Sequence, residues 1–343
     1  MPDRVLVTGV SGFVGGHVAL QLLDAGHPVL GSVRDLRKAD KVRATLQNAG
    51  ADTARLEFVA LDLETDDGWS EAMRGCRYLQ HVASPFVTSM PRNPDDLIRP
   101  AVEGTRRAIE AALGADIERI VLTSSMAAVM YGHPVERTRP FTAEDWTDPD
   151  RPGGTAYTES KFRAERKAWA LMDAAGRRGD LSVINPAGIF GPLLDDDAGT
   201  SGAIIVRLLQ GSVPALPRIA TGIIDVRDIA GLHVAAMTAP QAGGQRYPAS
   251  AGTLWMRDIA DILRQELPSR ASTMPRFHLP DWLVRIVGRF DRDVGANLGE
   301  LGHFRRVDAS AAEALLGRRL ISARDALKAT ADSAIAHGLV KPG

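Results

Sequence analysis

The chain contains a single cysteine, Cys76, and only six lysines among 343 residues, and its net charge is −1. One cysteine forms neither an intrachain disulfide nor a cysteine cluster for a metal ion, so we interpret it as a small core residue. A net charge near zero gives no general attraction to nucleic acid or to a membrane surface. The sequence lacks an apolar run of about 18 residues, the length that spans a bilayer. The first predicted strand begins near the N-terminus, so we expect no signal peptide and predict a cytoplasmic protein.

Glycines at positions 9, 12 and 15 follow a short apolar run, residues 5–7, and precede a helical pattern of apolar residues. The run is typical of a buried parallel strand. Gly9 permits a tight turn out of that strand, Gly12 lets backbone amides approach a pyrophosphate, and Gly15 lets the helix pack closely on the strand. The helix N-terminus presents free N–H groups to phosphates. The strand, turn and helix together predict a dinucleotide-binding loop, with an ordinary turn as the alternative.

Arg34 and Asp35 follow the second predicted strand, where a dinucleotide-binding fold recognises the adenosine ribose. An acidic residue there binds the ribose 2′-hydroxyl of NAD, whereas an arginine accommodates the 2′-phosphate of NADP. Arg34 comes first after the strand, and Arg37 and Lys38 add positive charge nearby. The sequence therefore favours NADP(H) over NAD(H), with solvated charges at a helix start as the alternative.

Predicted strands and helices alternate as far as residue 184. Strands are expected over residues 28–33, 56–61, 78–83, 117–123 and 181–184, and helices over residues 94–113 and 155–175. This alternation predicts an α/β fold, a Rossmann-type doubly wound parallel sheet in which ligands bind beyond the carboxyl ends of the strands. His81 lies at the end of the fourth predicted strand and is interpreted as structural, because its neighbours are apolar.

The rest of the chain predicts a second, smaller domain. A returning segment near residues 222–250 is expected to complete the dinucleotide-binding domain of residues 1–185. Within that segment, residues 223–229 are expected to lie at the edge of the parallel sheet. Residues 186–221 and 251–343 are expected to form a mostly helical substrate-binding domain.

Two polar segments are interpreted as loops. Residues 134–154 are rich in Pro, Asp, Arg and Thr and are expected to be exposed. Residues 195–197 are three adjacent aspartates, which cannot all face one ion well, so no metal site is predicted.

Tyr157 and Lys161 are four residues apart on a predicted helix and therefore project from one face. A tyrosine phenol ordinarily has a pKa of about 10, and a lysine cation beside it favours the phenolate. Such a phenol can donate a proton to a carbonyl oxygen as hydride arrives, or remove one from an alcohol in the reverse direction. Ser125, after the fifth strand, is predicted to hydrogen-bond the substrate oxygen. An exposed tyrosine and lysine on a surface helix are the alternative interpretation.

These motifs resemble the extended short-chain dehydrogenase/reductase family over about residues 3–235. The broad matches are T-G-x-x-G-x-x-G, the serine pair after the fifth strand, Y-x-x-x-K and N-P-A-x-I-x-G-P. Finer matches at residues 33–35, 81–85, 100–105, 122–125 and 225–228 are similar to the branch with dihydroflavonol reductases, cinnamoyl-CoA reductases and microbial NADPH-dependent aldehyde and ketone reductases. Met-Ala follows Ser125, unlike the Thr-Asp-Glu of the sugar dehydratases, so that chemistry is not expected.

The resemblance implies a catalytic set of Ser125, Tyr157 and Lys161. It implies cofactor contacts at the phosphates (Gly9, Gly12, Phe13, Val14, Gly15), the 2′-phosphate (Arg34), the adenine (Asp62, Leu63) and the nicotinamide (Val82, Ala83, Ser84, Pro186, Ile189). Lys161 would also hold the nicotinamide ribose. Candidate substrate-pocket residues, with ordinary core packing as the alternative, are Phe86, Met90, Met126, Met130, Phe190 and Leu193.

The sequence thus predicts an NADPH-dependent enzyme, a monomer or homodimer, that reduces an aldehyde or ketone to an alcohol. Its partner would be a small-molecule carbonyl or alcohol substrate. Two alternatives remain: a nucleotide-sugar epimerase with tightly bound NAD, and a regulator that senses the dinucleotide without catalysis. The intact serine, tyrosine and lysine set argues against the regulator, because a binder has no need of a phenolate.

Overall fold

The computed structural model describes residues 3–85, 91–115, 117–290, 295 and 298–340. Its strands are β1 (Val5–Thr8), β2 (Val29–Val33), β3 (Leu56–Ala60), β4 (Tyr78–His81), β5 (Arg119–Thr123), β6 (Leu181–Pro186), β7 (Gly188–Phe190), β8 (Leu216–Pro217), β9 (Ala220–Asp225), β10 (Arg246–Ala249), β11 (Gly252–Trp255) and β12 (His278–Leu279). Its α-helices are α1 (Phe13–Asp24), α2 (Ala39–Asn48), α3 (Trp69–Met73), α4 (Asp95–Gly114), α5 (Ala156–Ala174), α6 (Gly199–Leu209), α7 (Val226–Thr238), α8 (Met256–Glu266), α9 (Asp281–Val287), α10 (Ser310–Leu316) and α11 (Ala323–Ala336).

Seven parallel strands form the central sheet, in the order β10-β6-β5-β4-β1-β2-β3. The residues of β1, β2, β4 and β6 are buried throughout, as expected for strands covered on both faces. The strand order reverses between β1 and β4, where doubly wound sheets bind ligands beyond the carboxyl ends. The predicted fold class, a Rossmann-type parallel sheet with a smaller, largely helical second part, is confirmed.

Hydrophobic clusters cover the two faces of the sheet. On one face, Leu22 of α1 and Ile229 of α7 are fully buried in the same cluster. On the other face, Ile109 of α4 and Trp169 of α5 are buried together, and these two helices pack against each other. A third cluster joins α6, α8 and α11 in the C-terminal part of the chain. Packed helices therefore cover both faces of the sheet, and loops lie at its carboxyl edge.

Residues 223–229 do not join the central sheet, and this expectation is wrong. Strand β9 instead forms a separate three-stranded sheet, parallel to β7 and antiparallel to β11. The edge position beside β6 is taken by β10. Asp225 ends β9 and accepts a hydrogen bond from the backbone N–H of Arg227 at 2.8 Å, which starts helix α7 immediately. Helix α7, however, packs against β5 and β6 of the central sheet, and β10 is the edge strand of that sheet.

The segment 134–154 is only partly exposed, which corrects a second expectation. Phe141 is 3% exposed and pairs with Val307 in an isolated β-bridge. Asp145 is buried in an ion pair with Arg137 at 2.6 Å. The carbonyl oxygen of Asp145 accepts a hydrogen bond from Arg246 Nη1 at 2.7 Å. Val307 and Arg246 are distant in sequence, so the polar composition of the segment gave no sign of them.

No helix in the described part of the chain is long and apolar enough to cross a membrane. Among the same residues, no group of three or more His, Cys, Asp or Glu side chains is placed to hold a metal ion. Two of the adjacent aspartates, Asp195 and Asp196, lie near Lys41 of α2, with N–O distances of 3.7 and 3.1 Å.

Candidate active site

In the glycine loop between β1 and α1, the packing of the chain requires two glycines and leaves open space at a third. Gly9 has a positive φ of 69°, and a Cβ atom there would lie 3.0 Å from the Ala83 Cα atom. A Cβ atom at Gly15 would lie 2.1 Å from the Gly9 carbonyl oxygen, so the close approach of helix and strand requires glycine. Gly12 is exposed, and among the described residues its Cβ would meet only that same oxygen, at 3.4 Å. The packing of the chain does not demand Gly12, so its open space suits an approaching ligand.

The N-terminus of α1 fits a phosphate group. Gly12 is the N-cap and supplies no side chain that could accept a bond from the first-turn N–H groups. Phe13 and Val14 follow it and are half-buried. A helix N-terminus without a side-chain cap, just after β1 at the switch point of the sheet, is the arrangement that binds a dinucleotide pyrophosphate. The residues present therefore fit the predicted cofactor.

Arg34 and Asp35 differ in their bonding partners. The Asp35 carboxylate caps the short 3₁₀ helix Leu36–Lys38 and forms an ion pair with Arg37 at 2.6 Å. These bonds to Arg37 lower the pKa of Asp35. Arg34 is exposed and makes no hydrogen bond or ion pair within the described ranges. The acidic residue is thus already neutralised, while the arginine beside it is available for an anion.

Asp62 and Leu63 lie just beyond β3, on the same edge of the sheet, and both are half-buried. Asp62 Oδ1 accepts a hydrogen bond from the backbone N–H of Glu64 at 3.0 Å. That bond leaves the second carboxylate oxygen for another donor. The predicted adenine contact stays a prediction.

Thr8, the last residue of β1, fixes the loop after β4. Its Oγ1 accepts hydrogen bonds from the N–H groups of Val82 and Ala83, at 3.1 and 3.0 Å. The hydroxyl therefore donates its proton to His81 Nδ1, 2.9 Å away, and His81 carries its own proton on Nε2. Burial, and to a lesser extent the cation of Lys161, lowers the pKa of His81 to about 3. A neutral, buried His81 is a structural support for Val82 and Ala83, as the sequence indicated.

Lys161 projects from α5 toward that loop, and Tyr157 lies one turn before it on the same helix. Lys161 Nζ donates a hydrogen bond to Ser84 Oγ at 2.9 Å. The same Nζ lies 5.8 Å from the centroid of the Tyr157 ring. Tyr157 is 37% exposed, so part of the residue is accessible to solvent. Helix α5 begins with a capping box between Thr155 and Thr158, which fixes the turn that carries Tyr157.

Ser125 is the second residue after β5 and is half-buried. Its Oγ accepts a hydrogen bond from the N–H of Ala127 at 3.1 Å, as the N-cap of the 3₁₀ helix Met126–Ala128. A hydroxyl that accepts from the backbone keeps its own proton for another acceptor. The Ser125 carbonyl oxygen in turn accepts a bond from Asn185 Nδ2 at 3.3 Å. The serine is thus oriented as a hydrogen-bond donor.

The predicted substrate-pocket residues fall into two groups. Met126 and Phe190 are 1% and 2% exposed and belong to hydrophobic clusters, as does Leu193. Met130 is half-buried against the cluster of Met126. Phe86 and Met90 lie outside the described residues. Pro186 and Ile189, expected near the nicotinamide, end β6 and lie within β7. Roles in substrate or cofactor binding stay predictions for all of them.

A polar cluster from the C-terminal part of the chain was missed by the sequence analysis. Arg305 forms an ion pair with Glu300 at 2.5 Å and lies over the Tyr131 ring, 4.6 Å from its centroid. Burial, and then the negative charge of Glu300, raise the pKa of Tyr131. A Cβ atom at Gly299 would lie 3.4 Å from the Gly153 carbonyl oxygen, so this segment reaches the start of α5. Nothing in the local sequence connects residues 298–305 to the loop after Ser125.

Comparison with known proteins places the chain in a family. Residues 5–249 match the family described as NAD dependent epimerase/dehydratase. The chain belongs to this family. The predicted resemblance to extended short-chain dehydrogenase/reductases is thereby confirmed.

Family members with similar sequences are named as reductases. Cinnamoyl-CoA reductase 1 of Petunia hybrida is 35% identical over 269 residues, 77% of this chain and 77% of that protein. A putative NADPH-dependent methylglyoxal reductase of Candida albicans is 30% identical over 290 residues, 79% of this chain and 85% of that protein. The crystal structure of yeast methylglyoxal/isovaleraldehyde reductase Gre2 complexed with NADPH superposes with a TM-score of 0.81 at 25% identity, covering 98% of this chain and 100% of that one.

Proposed function

We propose that this protein is an NADPH-dependent oxidoreductase that reduces a small aldehyde or ketone to an alcohol, with Tyr157 as the proton donor. The observation that carries the proposal is the Lys161 ammonium, which lies beside the Tyr157 ring and bonds Ser84 in the loop next to the glycine turn. The relatives named above are reductases, one called NADPH-dependent and one complexed with NADPH. The predicted oxidoreductase class and the NADPH cofactor are confirmed at the level of these relatives.

Residues at the carboxyl edge of the sheet would hold the cofactor. The first turn of α1 after Gly12 would bind the pyrophosphate, and Arg34, with Lys38, the 2′-phosphate. Ser84 and Lys161 would hold the nicotinamide end. When bound, NADPH supplies the hydride that reduces the carbonyl carbon.

The proton comes from the chain itself. Tyr157 donates its phenolic proton to the carbonyl oxygen as negative charge develops there. Lys161 stabilises the phenolate that remains, because its cation lies 5.8 Å from the centroid of the ring. Ser125 donates a hydrogen bond to the same substrate oxygen, since its Oγ already accepts from Ala127. In alcohol oxidation the same groups act in reverse.

The test is NADPH oxidation, followed by absorbance, against a panel of aldehydes, diketones, aromatic ketones and hydroxysteroids. We expect turnover with at least one class, and a loss of about 10²–10⁴-fold in kcat for Tyr157→Phe, the usual contribution of a positioned acid. NADPH affinity of that variant, measured by fluorescence, should change little. Glu159→Gln, a surface change on the same helix, is the matched control and should keep full activity. Near-normal turnover of Tyr157→Phe would overturn the mechanism.

The epimerase alternative is separated by the cofactor that the purified protein carries. An epimerase recycles its NAD and would release a stoichiometric amount of NAD on denaturation, whereas the proposed reductase exchanges NADPH freely. We further propose a cytoplasmic location and a monomer or homodimer. Light scattering of the purified protein tests the oligomeric state.

A further inference from the structure

The buried carboxylate of Glu165 lies one helical turn beyond Lys161 on α5. Tyr157, Lys161 and Glu165 are spaced by four residues, so they share one face of the helix. Glu165 is 1% exposed. A carboxylate so buried is stable only when it is paired and hydrogen-bonded, so its partners show what it holds in place.

Four donors surround the two oxygens of Glu165. Oε2 accepts bonds from Ser124 Oγ at 2.5 Å and from Asn185 Nδ2 at 2.7 Å. Oε1 accepts bonds from Arg246 Nε at 2.5 Å and from Trp169 Nε1 at 3.3 Å. Arg246 is itself 7% exposed and balances the charge. The carboxylate is fully committed within the protein, so it is not available to the substrate.

Two of these donors, Ser124 and Asn185, are connected to Ser125 by the chain and by a hydrogen bond. Ser124 precedes it in the chain, and its backbone N–H also donates to the Ile184 carbonyl oxygen at 2.8 Å. Asn185 Nδ2 bonds both Glu165 and the Ser125 carbonyl oxygen. The residue before Ser125 and the peptide unit after it are therefore both tied to the same carboxylate.

We propose that Glu165 is the positioning residue of Ser125: its carboxylate holds Ser124 and Asn185 so that the Ser125 hydroxyl meets the substrate oxygen. The inference rests on the proposed function, because it assigns Glu165 a role through the serine of that site. A displacement of about 1 Å in a reacting group can lower a rate by about 10²-fold.

The experiment is a double-mutant cycle in kcat between Glu165→Gln and Ser125→Ala, using the carbonyl substrate selected by the panel. Glu165→Gln keeps the shape of the side chain, but its amide nitrogen cannot accept from Ser124, Asn185 or Arg246. We expect a fall in kcat of about 10–100-fold in the wild-type background and no further fall in the Ser125→Ala background. The dissociation constant of NADPH should stay within about twofold of wild type in each variant, because no bond of Glu165 reaches the cofactor residues. Glu159→Gln, a change in a half-buried partner of Arg163 on the same helix, is the control without effect.

Equal losses from Glu165→Gln in both backgrounds would overturn the inference, because Glu165 would then act through the helix and not through Ser125. Full activity of Glu165→Gln would also overturn it, while leaving the proposed function intact. Full activity of Ser125→Ala would instead overturn the role proposed for the serine and this inference with it. If Glu165→Gln does not fold, Ser124→Ala removes a single bond to the carboxylate. A loss of kcat from Ser124→Ala that is absent in the Ser125→Ala background supports the inference, and any other result overturns it.

Discussion

Selection of NADPH by Arg34 is the prediction that the structure defines most sharply. Replacing Arg34 by Ala should weaken NADPH binding and leave NADH binding unchanged, because only NADPH carries the 2′-phosphate. A charge-assisted hydrogen bond contributes about 1.5–3 kcal/mol. Arg34 is exposed, so screening by solvent favours the lower end, about 1.5 kcal/mol or roughly tenfold in Kd. Fluorescence titration of both cofactors measures the two constants directly.

The neighbouring ion pair supplies the control. Arg37→Ala removes the partner of Asp35 and leaves an unpaired carboxylate beside the 2′-phosphate site. NADPH binding should weaken by repulsion, while NADH binding should hold or improve. Adding Asp35→Asn should restore NADPH affinity, because the repelling charge is gone. Arg34 is not the selector if the wild type prefers NADH, or if Arg34→Ala weakens both cofactors equally.

Three further predictions concern the loop, the lysine and buried histidines. Gly12→Val should abolish NADPH binding with little change in Tm, whereas Gly15→Ala should lower Tm; equal effects on both quantities would contradict the division of roles. Lys161→Met should weaken NADPH binding and lower kcat, because its ammonium bonds Ser84 and lies 5.8 Å from the centroid of the Tyr157 ring. An unchanged kcat in steady-state assays would remove Lys161 from the proposed proton transfer. Burial lowers the pKa of His81 and of His233 to about 3, so the unfolded state takes up protons below about pH 6.5 that the folded state does not. Each should cost about 2 kcal/mol of stability at pH 5 relative to pH 7.5, and equal free energies of unfolding in urea at the two pH values would contradict this.

The parts of the fold that depend on neighbouring residues in the sequence were predictable. Buried parallel strands are continuous apolar runs, and β1, β2 and β5 lie within a residue or two of their expected bounds. The turn after β1 was predictable because local backbone geometry requires its glycines: Gly9 has a positive φ, and Gly15 packs against the carbonyl oxygen of Gly9. Helix α5, with its capping residues and the Tyr157 pair, likewise carries its own signals in the sequence.

The errors come from contacts between distant parts of the chain. The segment 134–154 is polar, yet Arg246 and Val307 bury parts of it from more than 100 residues away. The strand β9 has the apolar pattern of a sheet strand, but its pattern cannot tell which sheet it joins. The sequence near Asp35 could not show that Arg37 forms an ion pair with it. The same residues could equally leave the carboxylate free to bind a ribose.

The position of Glu165 did have a signal in the sequence. Its spacing of four from Lys161 and eight from Tyr157 puts an acidic residue on the face of α5 that turns toward the sheet, where an unpaired charge is not tolerated. Such a residue must be met by a cation from another element, and Arg246 on β10 is that cation. Because α5 meets the loop after β4 through Lys161, and the ends of β5 and β6 through Glu165, one helix face sets the spacing among three strand ends. An acidic residue on the buried face of a helix, close to the proposed proton donor, is therefore a clue to how the site is held.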